Sequence, residues 1–195
     1  MKYNSGIQAL KDAGLNIFVS ADVSGLPDHI FPFSDIQKTK TLCLIGNGGS
    51  DLWDKLPHPL NVNNHPIDHY SKSKMFDFAE AVLDSDIVIL FPNDHYTLPL
   101  QQIARVLNLS SQSPIGIDIN NEFGLWFAIR GVFLTSKKLP LLPREKNISP
   151  CDTCIDKPCL LSSSFTQARL NCPIKSEHKY KDSQIQYHQK ALDIL

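Results

Sequence analysis

Leu125-Trp126-Phe127-Ala128-Ile129-Arg130-Gly131-Val132-Phe133-Leu134 decides how this chain is read. The run is apolar and aromatic, interrupted only by Arg130 and Gly131. Aromatic and β-branched side chains suit a pleated, buried surface, so the stretch predicts a central strand. A guanidinium inside such a strand is costly to bury without an anion or an acceptor. Strand geometry puts Arg130 on the face of Ala128 and Trp126, opposite Phe127 and Ile129. Two readings follow. Either Arg130 lines a cavity and grips a ligand carboxylate, phosphate or amide, or it pairs internally with an acid such as Asp118 or Glu122.

Moving outward, Leu15 to Ser20, Thr41 to Ile45, Asp86 to Phe91 and Pro114 to Ile119 read as further strands. Helices are expected over 5–13, with Ser5 as N-cap and Gly14 closing it, and over 51–56. A longer helix is expected over 66–84, entered by Pro66. Met75, Phe76, Ala79, Val82 and Leu83 would form its buried face. Leu98 to Leu107 reads as another helix, and Lys181 to Leu195 as a terminal one with Ile185, Leu192 and Leu195 on one face. Residues 24–38 and 57–66 read as loop. The expected organisation is a ligand-binding α/β body over 1–140 and a cysteine-bearing extension over 141–195 that folds back on it. Pro140, Pro143, Pro150 and Pro158 punctuate the start of that extension.

Composition excludes several classes. The chain has 195 residues, 42% hydrophobic, which is ample for a core. With 19 basic and 20 acidic side chains it has no global field to attract nucleic acid or an anionic membrane. No apolar run is long enough to span a bilayer, and the first residues lack the apolar stretch of a secretory signal. The expectation is a cytoplasmic protein with neither nucleic acid nor membrane as partner.

Three groups of residues could carry chemistry. Cys151, Cys154, Cys159 and Cys172 have the spacing C-x2-C-x4-C-x12-C, and clustered thiols in a reducing compartment point to metal or redox chemistry. A ferredoxin-type run would place a further cysteine at Ser163, whereas zinc tolerates a wide loop between ligand pairs. An iron–sulfur cluster, zinc and unligated thiols all remain open. Cys43, alone in an apolar run, is expected to be a small core residue. Gly46-Asn47-Gly48-Gly49-Ser50 follows a strand and could cradle a phosphate on backbone amides. Asp51, at the place of a third glycine, would repel one, and a tight strand-to-helix turn is the alternative. His65 and His69, four apart, share a helix face that could chelate a metal or simply face water.

Phe123-Gly124-Leu125-Trp126-Phe127-Ala128-Ile129-Arg130-Gly131-Val132 resembles the signature of the cytosolic cobalamin-processing chaperone family, the cyanocobalamin decyanases and alkylcobalamin dealkylases. Glu177-His178-Lys179-Tyr180-Lys181-Asp182-Ser183-Gln184-Ile185-Gln186-Tyr187-His188 is similar to the family's C-terminal segment, and His65-Pro66-Ile67-Asp68 is a fainter match. The cysteine spacing after this strand also resembles bacterial ferredoxin-like proteins. Corrinoid-dependent epoxyqueuosine reductases and reductive dehalogenases join a related fold to iron–sulfur centres.

The resemblance implies an α+β, flavin-nitroreductase-like layered sheet with helices. It implies a cavity for base-off cobalamin, with Phe123, Gly124, Trp126, Phe127, Arg130, Gly131 and Lys179 as cofactor-binding residues. Chemistry at cobalt would be reductive decyanation using reduced flavin, or dealkylation by glutathione thiolate, and the extension would serve as an iron–sulfur relay or docking point for a redox partner protein. The expected function is a corrinoid-binding reductase or chaperone; the alternative is a ferredoxin-like electron-transfer protein without corrinoid chemistry. Two departures stand out. The family's His-Pro-Arg is Asn120-Asn121-Glu122 here, and Lys179 replaces an arginine, keeping the charge but losing the planar fork.

Overall fold

In the computed structural model of the chain, the aromatic stretch forms a strand at the heart of a four-stranded sheet. The structure describes residues 2–27, 39–82, 87–92, 99–142, 145 and 148–192. The elements are α1 (Lys2–Asp12), β1 (Ile17–Asp22), β2 (Thr41–Gly48), α2 (Pro66–Val82), β3 (Ile87–Leu90) and α3 (Leu100–Val106). They continue with β4 (Ser111–Gln112), β5 (Asp118–Ile119), β6 (Phe127–Thr135), α4 (Phe165–Leu170) and α5 (Asp182–Leu192). The main sheet runs β1-β2-β6-β3, and each neighbouring pair is antiparallel. A two-stranded sheet joins β4 to β5.

Both faces of the main sheet are covered, which is why β2 is buried along its whole length. On one face Phe18, Cys43, Ile45 and Phe133 pack under Leu10 of α1 and Met75, Phe78 and Ala79 of α2. On the other face Ile17, Val19, Leu42, Leu44, Val132 and Leu134 meet Ile103 and Ala104 of α3. The alternation of Leu42 and Leu44 with Cys43 and Ile45 is the period-two signature of a strand between two layers. Each large side chain buried here contributes roughly 1.5–3 kcal/mol of transfer free energy. Cys43 is a core residue as expected, fully buried, and burial pushes its thiol up to about 12.

A third, smaller core holds Ile119, Leu125, Cys151 and Cys172. It ties the cysteine segment to the body, together with Tyr3 and Ser20, whose hydroxyls donate to Pro140 O at 3.1 and 3.0 Å. Beyond this core the segment exposes Ile155, Leu160 and Leu161.

Several expectations need correction. The glycine-rich stretch after Ile45 is strand before it is turn: β2 continues through Gly46, Asn47 and Gly48, each paired with β6, and the expected turn begins only at Gly49, whose φ is +64°. Glycine serves close approach here, since a Cβ on Gly48 would overlap the Phe123 ring. α1 begins before Ser5, whose hydroxyl donates back to Lys2 O. Trp53–Lys55 forms a single 3-10 turn. The buried face of α2 is Ile67, Ser71, Met75, Phe78 and Ala79, with Val82 partly buried against the same core, whereas Phe76 is 50% exposed and lies 5.9 Å from Phe91. Only Asp118–Ile119 of the Pro114 stretch is strand, because Ser113 N–H donates to Ile117 O across a turn at Gly116. In α5 the buried residue is Gln184, while Ile185 is half-buried. The expectations at residues 28–38, Leu83, Asp86, Leu98, Pro143 and Leu195, and the side chain of Leu192, lie outside the described residues. No helix among the described residues is long and apolar enough to cross a membrane.

Candidate functional site

The strand β6 carries one residue too many. Gly131 pairs with Ile45, but the next pair is Ile129 with Gly46, so Arg130 has no residue opposite it. Such a bulge bends a strand and re-aims a side chain. Its effect is visible in the packing. Phe127 and Ile129 lie against the core that contains Val132 and Leu134, an odd step that an unbroken strand would not allow. Arg130 is thereby turned to the opposite face, toward α2 and α5.

There its side chain is 12% exposed. Arg130 Nε donates to Asn47 Oδ1 at 2.7 Å, and Nη1 stands 3.6 Å from Asp68 Oδ1. Burial lowers the guanidinium pKa, and the charges of Tyr180, Asp68 and Tyr187 oppose that shift. Asp118, one of the acids expected to pair with Arg130, is instead held by Arg105, whose Nε donates to it at 2.9 Å. Asp68 is half-buried and at a long ion-pair distance, so the guanidinium keeps donors free for a further acceptor.

Arg130 stands in the wall of a cavity of about 830 Å³, lined also by His65, Asp68, His69, Lys72, Phe91, Tyr187 and His188. That volume is within the usual range for small-molecule sites. Beside Arg130, the Asn47 amide nitrogen is buried without a partner. The sequence offered Asn47 only as part of a loop, and the bulge that gathers it with Arg130 depends on the pairing partner. His65 and His69 share the cavity wall as exposed side chains.

His188 is the other unusual group. Burial, with Arg130 and Arg169 adding to it, pulls its pKa down to about 4, so the ring is neutral at physiological pH. The unfolded chain binds a proton near the ordinary value, so between about 6.5 and about 4 it holds more protons than the folded one. Stability should therefore fall as pH drops through this window. Denaturant midpoints for His188→Gln should show a flatter profile there.

The remaining signature residues are mostly packing positions. Phe123 is buried, its ring centroid 5.0 Å from that of His178. Gly124 has φ +60°, and a Cβ there would run into Ile174 O. A Cβ on Gly131 would meet Met75 Cε at 2.6 Å, and Phe127 packs in the α3-side core. Trp126 is buried and meets Tyr180 edge to face, their centroids 5.4 Å apart. Lys179 is exposed, 3.7 Å from Asp182, and is not among the residues lining the cavity.

Cys151, Cys159 and Cys172 are buried and Cys154 is half-buried, all as free thiols. Burial raises Cys151 and Cys172; the charges of Cys159 and Cys154 add to the shift at Cys151, and those of Cys159, Cys151 and Cys154 to the shift at Cys172. The four thiols thus lie within electrostatic reach of one another. No group of three or more His, Cys, Asp or Glu among the described residues stands in metal-holding geometry.

No protein-family model matches this sequence, and no curated protein matches it. Solved structures do match the fold. The B12-trafficking protein CblC of C. elegans, a homologue of human MMACHC, superposes with a TM-score of 0.60 at 11% identity, over 94% of this chain and 90% of that one. The fold is like that of CblC. Epoxyqueuosine reductase from Streptococcus thermophilus matches at 0.50 and 13% identity, over 97% of this chain and 62% of that one. An epoxyqueuosine reductase crystallised with a tRNA-Tyr stem loop matches at 0.52 and 14%, over 90% and 55%. This chain spans a little over half the length of those reductases. At such identities the likeness bears on the fold, and the α+β sheet-and-helix class expected from the signature is borne out.

Proposed function

We propose that this protein binds a corrinoid in the Arg130 cavity and acts as a B12 carrier or processing protein. The observation that carries this reading is a buried guanidinium, re-aimed by a bulge into a cavity of about 830 Å³, on a fold like that of CblC. The residues fit such a ligand. Arg130 and the unpartnered Asn47 amide are donors suited to the amide-bearing rim of a corrin ring. Phe91 and Tyr187 supply apolar and aromatic wall. Bound cobalamin would supply cobalt-centred redox and alkyl-transfer chemistry, while the protein's part is binding, orientation and exclusion of water. Lys179, three residues ahead of α5 and outside the cavity wall, is not assigned a contact with the ring. Titrating the protein with hydroxocobalamin should shift the visible spectrum toward the base-off form and give a saturable calorimetric isotherm. An unchanged spectrum with no heat of binding would overturn the reading.

The extension supports a second element of the proposal. Cys151, Cys154, Cys159 and Cys172 are close enough to influence one another, and a metal or iron–sulfur cluster would draw them into a common site. Thiols must deprotonate to ligate, so the raised Cys151 and Cys172 would bind with proton release. The exposed Ile155, Leu160 and Leu161 beside them suit a redox partner protein. Joint Cys151→Ser and Cys154→Ser replacement should remove most of the metal from protein purified without oxygen. Iron, sulfide and zinc analysis reads the result, and unchanged metal content would end the cluster proposal.

A further inference from the structure

A small cleft of about 40 Å³ lies between α4, α5 and Trp126, lined by Trp126, Phe165, Arg169, Tyr180, His188 and Gln189 among others. Two of its side chains carry buried nitrogen atoms without a hydrogen-bond partner, Trp126 Nε1 and His188 Nε2. A buried polar nitrogen left unmet is costly, and two beside one cleft, an indole N–H and an imidazole nitrogen, are unusual enough to need an explanation. The third polar group is Arg169. Its guanidinium lies over the Trp126 and Tyr180 rings, 4.6 and 4.8 Å from their centroids, and donates through Nε and Nη2 to Leu125 O. No carboxylate among the described residues pairs with it. A cation, an indole N–H and an imidazole thus share one cleft with no acid to meet them.

We infer that this cleft is a subsite for a carboxylate, held by Arg169 and by the indole N–H of Trp126, with His188 as a third donor. A carboxylate has two oxygens and about four acceptor positions, enough for three donors from different directions. The guanidinium provides the charge-assisted contact. The cleft is small, which suits one carboxylate head and little more. Phe165, half-exposed in its wall, is the side chain best placed to yield as a ligand enters. Arg130 on β6 and Arg169 on α4 press the imidazole toward its neutral form, with the Tyr180 and Tyr187 rings against it. An arriving anion reverses part of that pressure, so binding should be accompanied by proton uptake at His188. Because His188 also lines the large cavity, the carboxylate could belong to a free small acid or to an arm of a larger ligand in that cavity. The inference goes beyond the corrinoid reading and does not depend on it.

The test uses the two tryptophans as reporters. Trp53 Nε1 already donates to Ser183 Oγ at 3.2 Å, whereas Trp126 Nε1 has no acceptor. The full chain, labelled with nitrogen-15, is titrated with sodium formate while the two indole N–H signals are followed, the Trp53→Phe variant assigning them. The Trp126 signal should move downfield and saturate while that of Trp53 stays, and acetamide, similar in shape but neutral, should leave both in place. Arg169→Gln should abolish the saturable shift and Arg169→Lys should restore part of it. Glutarate separates the two sources: binding about tenfold tighter than formate assigns the carboxylate to a longer ligand, and equal binding to a free small acid. Either result supports the subsite. No saturable shift in the native chain, or an equal response to acetamide, identifies a hydration site and overturns the inference.

Discussion

Replacing Arg130 with alanine is expected to weaken corrinoid binding by about 10- to 100-fold, the worth of one or two charge-assisted hydrogen bonds lost from a desolvated wall. The effect on folding should be smaller. Asp68, 3.6 Å from Arg130 Nη1, is half-buried and faces the cavity, where water can solvate it once the guanidinium is gone. Asn47 loses one donor to its Oδ1 but retains its backbone pairing in β2. Calorimetry with hydroxocobalamin, beside a urea titration of the same protein, separates the two effects. If Arg130→Ala unfolds readily while its folded fraction binds as tightly as the parent, Arg130 is an internal strut and the cavity reading fails. Arg130→Lys should recover little, because a point charge cannot reach Asn47 and a ligand with the same fork.

The second large effect is expected at Gly124. Its φ of +60° lies in the left-handed region, and a methyl group there would collide with Ile174 O and sit 3.0 Å from Lys175 Cβ. Left-handed backbone costs a non-glycine residue about 1–2 kcal/mol, and overpacking against a fixed carbonyl adds about 1–3. Gly124→Ala should therefore lose roughly 2–5 kcal/mol, read as a lower urea midpoint. The obstructing atoms belong to the segment that follows Cys172, so the damage should reach the third core first. Loss of near-ultraviolet signal from Trp126 ahead of the main transition would show it. A midpoint unchanged from the parent would mean that Ile174 moves aside freely.

Much of the sheet was legible because each strand is a short apolar run between turn signals, and the period along β2 is regular from Leu42 to Ile45, whereas the bulge at Arg130 breaks that of β6. The stretch from Gly46 to Gly48 was misread for a physical reason. Glycines usually punctuate, but here they admit the Phe123 ring and the backbone of β6, and that partner lies more than 70 residues away in the chain. The helix face on α2 was legible at Met75, Ala79 and Val82 and misread at one position: Phe78 takes the buried place, while Phe76 is rotated out to meet Phe91. At the site, Arg130 announced itself as a charge in an apolar strand. Asp68 and Asn47 gave no such signal, being ordinary polar residues until the fold brings them together. Tyr187 and His188 stand in the C-terminal segment noted for its likeness to the chaperones, yet their place in the cavity wall depends on how α5 docks.

The unpaired residue in β6 also bears on how such chains should be aligned. The letters around Arg130 do not by themselves decide which layer the guanidinium enters; the count of residues between Ile45 and Gly46 on one side and Ile129 and Gly131 on the other does. A homologue with the same letters but an even count would tuck its arginine beneath α3, among aliphatic side chains, and leave the chamber without its anchor. A single-column gap at this point therefore carries more functional information than any substitution beside it, and transferring a role across such a gap would be unsafe.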